Sequence, residues 1–333
     1  MTEIKNENPL LEVKDLSVYY VSKEIGTCKA VNEVSFTVNK GETIGLVGET
    51  GAGKTTIAYS ILQLLQTPPG KVVNGEIIFN GKNLLDLSER DMQKIRGKEI
   101  SMIFQDPMTA LNPIETVGDQ IREVILLHNK ITPVEAKVKA QEMMEMVGIP
   151  GERYDEYAHE FSGGMKQRIV IAMALACSPE LLIADEPTTA LDVTIQAQVL
   201  DMMNDLREKY DTSVILITHD LGVVAEMCSR VAVIYAGQVV EMGDKYQVFN
   251  NTRHPYTIGL FDSLPSVNTN QKRLKPIKGL MPDPARLPDG CKFAERCDHC
   301  CDACRSHEIP MREIEPGHFV RCDFAENFRR NNS

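Results

Sequence analysis

The segment Thr43-Ile-Gly-Leu-Val-Gly-Glu-Thr-Gly-Ala-Gly-Lys-Thr55 decides the fold of this chain. Thr43 to Val47 is a short apolar run stopped by a glycine, which is typical of a buried strand. From Gly48 onward the sequence follows the pattern G-x-x-x-x-G-K-[ST], and residues 57–65 continue with helical spacing of apolar side chains. A strand, a glycine-rich loop and a helix in this order predict a loop that binds phosphate groups.

This loop predicts a nucleotide site made largely of backbone amides. Glycines allow successive N–H groups to surround phosphate oxygens, and the positive end of the following helix points at them. Lys54 is expected to pair with the β- and γ-phosphates, and the Thr55 hydroxyl to coordinate Mg²⁺. The predicted nucleotide contacts in the loop are Gly48, Glu49, Thr50, Gly51, Ala52, Gly53, Lys54, Thr55 and Thr56.

Two adjacent carboxylates follow a second predicted buried strand, Leu181-Leu-Ile-Ala184. Ligands collect at the carboxyl edge of open parallel sheets, and this is where Asp185 and Glu186 are expected. Asp185 is expected to hold Mg²⁺, directly or through water. Glu186 is expected to act as general base toward an attacking water.

A third element, Phe161-Ser-Gly-Gly-Met165, is expected to open a helix that runs to about Leu175. Ser162 is a suitable N-cap, and Gly163 and Gly164 leave the N-terminal amides of the helix uncovered. One nucleotide has only one set of phosphates. A second anion-binding helix end therefore predicts contact with a nucleotide that is held by another subunit.

The order of these motifs resembles the ATP-binding subunits of ABC transporters over about residues 10–250. The resemblance is carried by the phosphate loop, Gln105, Ser162-Gly163-Gly164, Asp185-Glu186, Ala190-Leu191-Asp192 and His219. In that family two subunits enclose two ATP molecules, each bound by the phosphate loop of one subunit and the Ser-Gly-Gly element of the other. The resemblance implies an ATPase of α/β class with the P-loop NTPase fold. A parallel core sheet, an N-terminal antiparallel β layer and a helical subdomain at about residues 106–178 are expected.

The same resemblance assigns roles to isolated residues by matching position. Gln105 follows the strand at 100–104 and would sense Mg²⁺ and the attacking water. His219 would contact the γ-phosphate and hold the general base in place, and Asp192 would lie at the subunit boundary. Tyr20 aligns best with the aromatic residue that stacks on adenine, with Tyr19 as the alternate.

The chain after residue 250 differs from the rest in its cysteine content, because six of the nine cysteines lie between residues 291 and 322. Disulfides are rare in the cytosol, so clustered thiols there predict a metal or cluster site. This region resembles the C-terminal extension of ATPase subunits in dipeptide, oligopeptide and nickel importers. The matching segments are His254-Pro-Tyr-Thr257, Leu264-Pro265, Gly290-Cys291-Lys-Phe293 and Arg296-Cys297. We therefore predict a nucleotide-binding domain at 1–250 and a loop-rich extension at 251–333.

Some ATPases of this kind bind an iron–sulfur cluster in the extension, so the resemblance implies a [4Fe–4S] cluster here. The positions that match its ligands are Cys291, Cys297, Cys304 and Cys322. Four thiolates also suit tetrahedral Zn²⁺, and free thiols are a third alternative. Cys300 and Cys301 are additional, and pairs such as Cys297-x-x-Cys300 or Cys301-x-x-Cys304 could supply ligands instead.

Charge and hydropathy exclude other classes. With 36 basic and 47 acidic residues the chain carries a net charge of −11, which disfavours sequence-independent binding to nucleic acid. The longest apolar run, Ile169 to Cys177, is far shorter than the roughly 20 residues that span a bilayer. The N-terminus shows no apolar signal region. The family resemblance implies a peripheral protein at the cytoplasmic face of the cell membrane.

The family resemblance implies the partners and the transported substrate. The chain is expected to energise uptake of di- or oligopeptides through two transmembrane permease subunits, together with a second, homologous ATPase subunit. An extracellular substrate-binding protein would act with them indirectly. A nickel importer is the alternative. A soluble ABC ATPase acting on DNA or ribosomes, or a non-hydrolysing regulatory partner, fits the motifs less well.

Overall fold

The computed structural model describes residues 8–23, 26–189, 191–263 and 276–330. The strands are β1 (Leu11–Ser22), β2 (Gly26–Val38), β3 (Thr43–Val47), β4 (Gly70–Phe79), β5 (Lys82–Asn83), β6 (Ile100–Ile103), β7 (Leu181–Asp185), β8 (Ser213–Thr218), β9 (Arg230–Tyr235), β10 (Gln238–Asp244), β11 (Arg312–Glu315) and β12 (His318–Val320). The helices are α1 (Lys54–Ile61), α2 (Glu89–Ile95), α3 (Pro107–Ala110), α4 (Val117–His128), α5 (Pro133–Met146), α6 (Gly163–Leu175), α7 (Val193–Tyr210), α8 (Leu221–Met227), α9 (Lys245–Asn250), α10 (Pro255–Asp262) and α11 (Ala303–Ser306). Ala190 and Leu264-Pro265, which were part of the sequence motifs, lie outside the described residues.

One compact unit consists mainly of Asp86–Thr218, joined by Val38–Thr43. Its strands β6, β7 and β8 are parallel neighbours and are buried along their whole length. Buried parallel strands need apolar side chains on both faces, which explains their runs of Ile, Leu and Val. Helices α4, α5 and α6 pack against one another in the same unit. Parallel strands with a group of helices agree with the expected core sheet and helical subdomain.

A second compact unit contains Leu11–Thr37, Ile44–Leu85 and the described part of His219–Ser333. It holds an antiparallel sheet with the strand order β2-β1-β4-β5. The turn between β4 and β5 has positive φ at Asn80 and Gly81, and these two residue types tolerate that conformation in a tight hairpin. The sheet is the N-terminal antiparallel β layer that the family resemblance implies.

The second unit also contains strands from both ends of the chain. β3 pairs in parallel with β9, β9 pairs antiparallel with β10, and β10 pairs antiparallel with β12, the outer neighbour of which is β11. The C-terminal hairpin β11–β12 therefore belongs to the same sheet as the strand before the phosphate loop. None of the described helices has the length and apolar character required to cross a membrane.

Helix α1 differs from the predicted helix at 57–65. It begins at Lys54, because Gly53 takes φ 106° and lets the loop turn directly into the helix. It ends at Ile61, and Gln63 has a positive φ. Loop and helix are thus continuous, which places Lys54 and Thr55 in the first helical turn.

Candidate nucleotide-binding site

The phosphate loop connects β3 to α1 and requires glycine at two positions. A Cβ on Gly48 would lie 2.1 Å from the Ile234 carbonyl oxygen, and one on Gly53 would lie 2.5 Å from the Ala30 carbonyl oxygen. Both obstacles are backbone atoms of neighbouring strands, which cannot move aside. The fold itself therefore excludes any side chain at these two positions.

Lys54 is buried beneath the loop, with 6% of its surface exposed. Its ammonium group donates to the carbonyl oxygens of Gly48 at 2.7 Å and Glu49 at 3.0 Å. Thr50 and Gly51 are exposed, while Thr55 and Thr56 in the first turn of α1 are half-buried and Ala52 is buried. The lysine therefore lies inside the loop, with the hydroxyl of Thr55 beside it in sequence.

The predicted catalytic carboxylate lies at the end of β7, directly after the buried Asp185. Glu186 has φ 48°, and its N–H donates to the Ile217 carbonyl oxygen at 2.8 Å. Its Oε2 accepts hydrogen bonds from Gln105 Nε2 at 3.1 Å and from Thr189 Oγ1 at 2.8 Å. The structure thus brings together Gln105 and Glu186, which are far apart in sequence. Thr189 was missed, and its place three residues after the acid is the only signal for it.

The Ser-Gly-Gly element opens α6 as predicted, and α6 ends at Leu175. The Ser162 hydroxyl caps the helix by accepting the Met165 N–H at 3.4 Å. A Cβ built on Gly163 meets no described atom within 4 Å, whereas one on Gly164 would approach Ile195 Cγ2 to 2.5 Å. Gly163 therefore faces open space at the exposed start of the helix.

The remaining predicted residues occupy separate positions. Asp192 is exposed and caps α7 by accepting the Ile195 N–H at 3.0 Å. Tyr20 is half-buried on β1, where its ring lies against Gly70. The Lys29 ammonium lies 5.8 Å from the ring centre of Tyr19. His219 is exposed and directly follows β8.

Comparison with known proteins agrees with this geometry. A family model described as "ABC transporter" matches residues 31–189, and one described as "Oligopeptide/dipeptide transporter, C-terminal region" matches residues 240–304. The oligopeptide transport ATP-binding protein OppD of Bacillus subtilis is 51% identical, over 94% of this chain and 88% of its own length. The dipeptide transport ATP-binding protein DppD of the same organism is 50% identical, over 94% of this chain and 92% of its own length. The chain belongs to this family of ABC transporter ATP-binding proteins.

Solved structures place this ABC ATPase in the cassette fold. The ATP-binding cassette MJ0796, in a dimeric post-hydrolysis state bound to ADP and Pi, superposes with a TM-score of 0.64 at 25% identity. The match covers 71% of this chain and 98% of that one. The cassette cbiO1 of Clostridium perfringens gives a TM-score of 0.63 at 26% identity, over 73% of this chain and 91% of its own. The chain is accordingly an ATP-binding ATPase of P-loop type.

Five of the nine cysteines of this ABC ATPase line one cavity in the second unit. Its walls include Phe293, Ile309, Phe324 and Phe328, and the thiols that line it belong to Cys291, Cys297, Cys300, Cys304 and Cys322. Burial raises the pKa of Cys297 to about 11 and that of Cys322 to about 12. These thiols therefore stay protonated at neutral pH unless a cation compensates the thiolate charge.

The cavity is not a preformed metal site. Within the described part of the chain, no group of three or more His, Cys, Asp or Glu residues is arranged to hold a metal ion. Cys301 is exposed and does not line the cavity, although its Sγ lies 3.7 Å from that of Cys304. The five cavity thiols include enough sulfur donors for a cluster or zinc site, but they do not hold the geometry of one.

Proposed function

We propose that this ABC ATPase energises the import of di- or oligopeptides through membrane permease partners. The observation that carries the proposal is the match of residues 240–304 to the C-terminal region of oligopeptide and dipeptide transporters. The relatives described above are oligopeptide and dipeptide transport ATP-binding proteins, which supports the same substrate class. A nickel importer is the alternative and has no comparable support.

The phosphate loop and the Ser-Gly-Gly element are proposed to belong to two halves of one ATP site. Lys54 and the loop amides would hold the phosphates in one subunit, and Ser162, Gly163 and Gly164 would approach them from a second subunit. The open space at Gly163 supports this arrangement, since a phosphate could reach the helix N-terminus there. Asp192 is exposed and available at such a boundary, and Tyr20 would stack on adenine.

Glu186 is proposed as the general base that removes a proton from the attacking water. Its carboxylate is held by Gln105 and Thr189, which supports a fixed orientation toward a reacting atom. Thr55, Gln105 and Asp185 would hold Mg²⁺, which supplies charge neutralisation for the transferred phosphoryl group. His219 would contact the γ-phosphate. Hydrolysis removes the γ-phosphate that both subunits bind, so the subunits separate.

The segment after Gln105 is proposed to meet a permease subunit. It continues through Met108 (its side chain lies outside the described part) and Leu111 to about Glu115, and Ile114 is 81% exposed within it. A homologous second ATPase and an extracellular binding protein complete the proposed importer. The chain would then lie at the cytoplasmic face of the membrane, with the nucleotide-binding domain at 1–250 and the extension at 251–333.

Replacing Glu186 by Gln tests the mechanism. The variant is expected to bind ATP but to lose at least about a hundredfold of its turnover, because the amide cannot accept the proton. Mixed with the partner ATPase and ATP, the variant should form a stable dimer, which light scattering detects. Glu152→Gln, an exposed carboxylate in the same unit, is the control and should behave as the wild type. Normal hydrolysis by Glu186→Gln would reject this base.

Uptake measurements test the substrate. Cells that lack this chain are expected to lose uptake of a labelled tripeptide and to keep uptake of labelled Ni²⁺, and the chain supplied in trans should restore peptide uptake. Loss of nickel uptake alone would support the alternative.

We also propose that Cys291, Cys297, Cys304 and Cys322 hold a [4Fe–4S] cluster with a structural role. Their convergence on one apolar cavity supports the proposal. Protein purified without oxygen should be brown and contain iron and acid-labile sulfide, and Cys297→Ser should lose both. Cys301→Ser, outside the cavity, is the control and should keep both. Cys300→Ser tests whether Cys300 is a ligand in place of one of the four proposed cysteines. Stoichiometric zinc in a colourless wild type would overturn the iron assignment.

A further inference from the structure

Glu49, the second residue of the phosphate loop, uses all three of its polar groups in contacts within the second unit. Its carbonyl oxygen accepts from Lys54 Nζ at 3.0 Å. Its N–H donates to the Tyr256 hydroxyl oxygen at 3.1 Å, and its carboxylate accepts from Arg296. The lysine of the site thus holds Glu49 on one side, and the C-terminal extension holds it on the other.

Arg296 is fixed by several contacts at once. Its Nη1 lies 3.0 Å from each carboxylate oxygen of Glu49 and also donates to the Tyr235 hydroxyl oxygen at 3.3 Å. Its Nε donates to the Lys278 carbonyl oxygen at 2.9 Å. Only 6% of the arginine side chain is exposed, so water competes weakly for the ion pair. A guanidinium held in this way presents one defined geometry to the loop.

Aromatic packing joins this contact to the cysteine cavity. The rings of Tyr235 and Tyr256 lie 4.5 Å apart, and Phe293 packs against them at 5.3 and 5.4 Å. Phe293 also lines the cavity, and Arg296 directly precedes Cys297, another lining residue. The same short stretch of the extension therefore touches both the thiols and the residues that hold the loop.

We infer that Arg296 is a positioning residue for nucleotide, which acts through Glu49 to hold the phosphate loop in its binding conformation. A loop whose N–H groups must surround phosphate oxygens binds more tightly when its backbone is ordered beforehand, because less binding energy is spent on ordering it. The extension is then a part of the nucleotide site. The inference rests on ATP binding by this ATPase and is independent of the transported substrate.

The test is the ATP affinity of the full chain with Arg296→Met. The dissociation constant for ATP, measured by titration of the isolated protein, is expected to rise about tenfold or more, as expected for loss of a hydrogen bond to a charged group. In the assembled transporter KM for ATP should rise similarly, with kcat within about twofold of the wild type. Arg305→Met removes an exposed arginine of the same extension and should leave both unchanged.

A double-mutant cycle separates positioning from general stability. Glu49→Gln keeps the shape of the side chain and should weaken ATP binding by a similar factor, and Glu49→Gln with Arg296→Met should be no weaker than Arg296→Met alone. Arg296→Lys, which keeps the charge, should recover part of the affinity. An Arg296→Met protein that melts earlier but binds ATP normally would overturn the inference, as would fully additive effects. Loss of peptide uptake does not enter these measurements, so the transport proposal can fail separately.

Discussion

At the scale of single residues, the two glycine-rich segments need glycine for different reasons. Gly48 has no room for a Cβ because the backbone of β9 lies against it. Gly163 has room for one within the described chain, and it occupies the first turn of α6. The first glycine is therefore required by the fold, whereas the second is free to serve a ligand or a partner.

Substitution of these glycines should separate stability from turnover. Gly48→Ala is expected to lower the free energy of unfolding by about 3 kcal/mol or more, since backbone must move. Gly163→Asp should leave that free energy unchanged within about 0.5 kcal/mol, because a carboxylate suits a helix N-terminus. The same carboxylate should repel ATP phosphates and reduce partner-dependent hydrolysis at least about tenfold. Denaturant unfolding and ATPase assays measure the two effects, and a turnover equal to that of the wild type would contradict the shared site.

Residue roles that depend on sequence neighbours could be predicted, whereas a contact between residues far apart in the sequence could not. Ser162 as a helix cap and Asp185 at a strand end follow from a few neighbouring residues, and both are confirmed. The pair of Glu49 with Arg296 was missed, because the two are 247 residues apart and the loop motif leaves its second position unspecified. The clustering of the cysteines predicted a metal or cluster site but not the cavity that five of them line, and which of them bind a metal stays a prediction.

At the scale of elements, a buried carboxylate ties the C-terminal hairpin to β10. Glu241 is fully buried and accepts from the N–H groups of Arg253 at 2.8 Å and His254 at 2.9 Å. His318 on β12, also fully buried, lies with its Nε2 2.9 Å from Glu241 Oε1. Arg253 further pairs with Glu315 on β11 at 2.8 Å. These contacts let three separate segments share one acidic group.

Removing the histidine of this group should destabilise the protein. His318→Ala leaves Glu241 buried with one hydrogen bond fewer and opens a gap beside it. The free energy of unfolding is expected to fall by about 2–3 kcal/mol. His307→Ala removes an exposed histidine that contacts Asp323 at 2.9 Å and should cost less than about 1 kcal/mol. Equal losses of unfolding free energy for His318→Ala and His307→Ala would contradict a larger contribution from the buried contact with Glu241.

Elements with strong local signals were predicted, and those defined by pairing were not. Helix α5 has a capping box at Thr132 and a proline at its first position, which are local signals of a helix start that the sequence itself carries. Strands β9 and β10 were not predicted, although they connect β3 to the C-terminal hairpin. The apolar residues of these two strands do not show, from the sequence alone, which strands they pair with. The predicted boundary near residue 250 stays a prediction about sequence organisation.

At the scale of the whole molecule, net charge and one buried base act in opposite directions on stability as pH falls. The chain carries −11 at pH 7 and has a pI near 5.2, so acidification reduces its self-repulsion. His254, which caps α10 by accepting the Tyr256 N–H, is fully buried. Burial lowers the pKa of His254 to about 3. Unfolding raises this pKa to its ordinary value, so the unfolded chain binds a proton that the folded chain excludes.

The His254→Asn variant should isolate this contribution. His254 stabilises the fold above about pH 6.5, and that stability is lost as pH falls toward 3. At pH 5 the wild type is expected to lose about 2 kcal/mol through this residue, whereas asparagine keeps a capping acceptor and has no proton to bind. Free energies of unfolding from pH 7 to pH 5 measure the difference. Parallel pH profiles for the two proteins would contradict it.

The Glu49–Arg296 contact constrains how such ATPases can be recombined. A chimera that takes its tail from one importer and its cassette from another inherits an arginine and its acceptor from different parents. If the parent that supplies the cassette has another residue at position 49, the hybrid will contain a buried guanidinium without its carboxylate partner beside the ATP site. A chimera that exchanges the C-terminal extension should therefore also take residue 49 from the parent that supplies the extension.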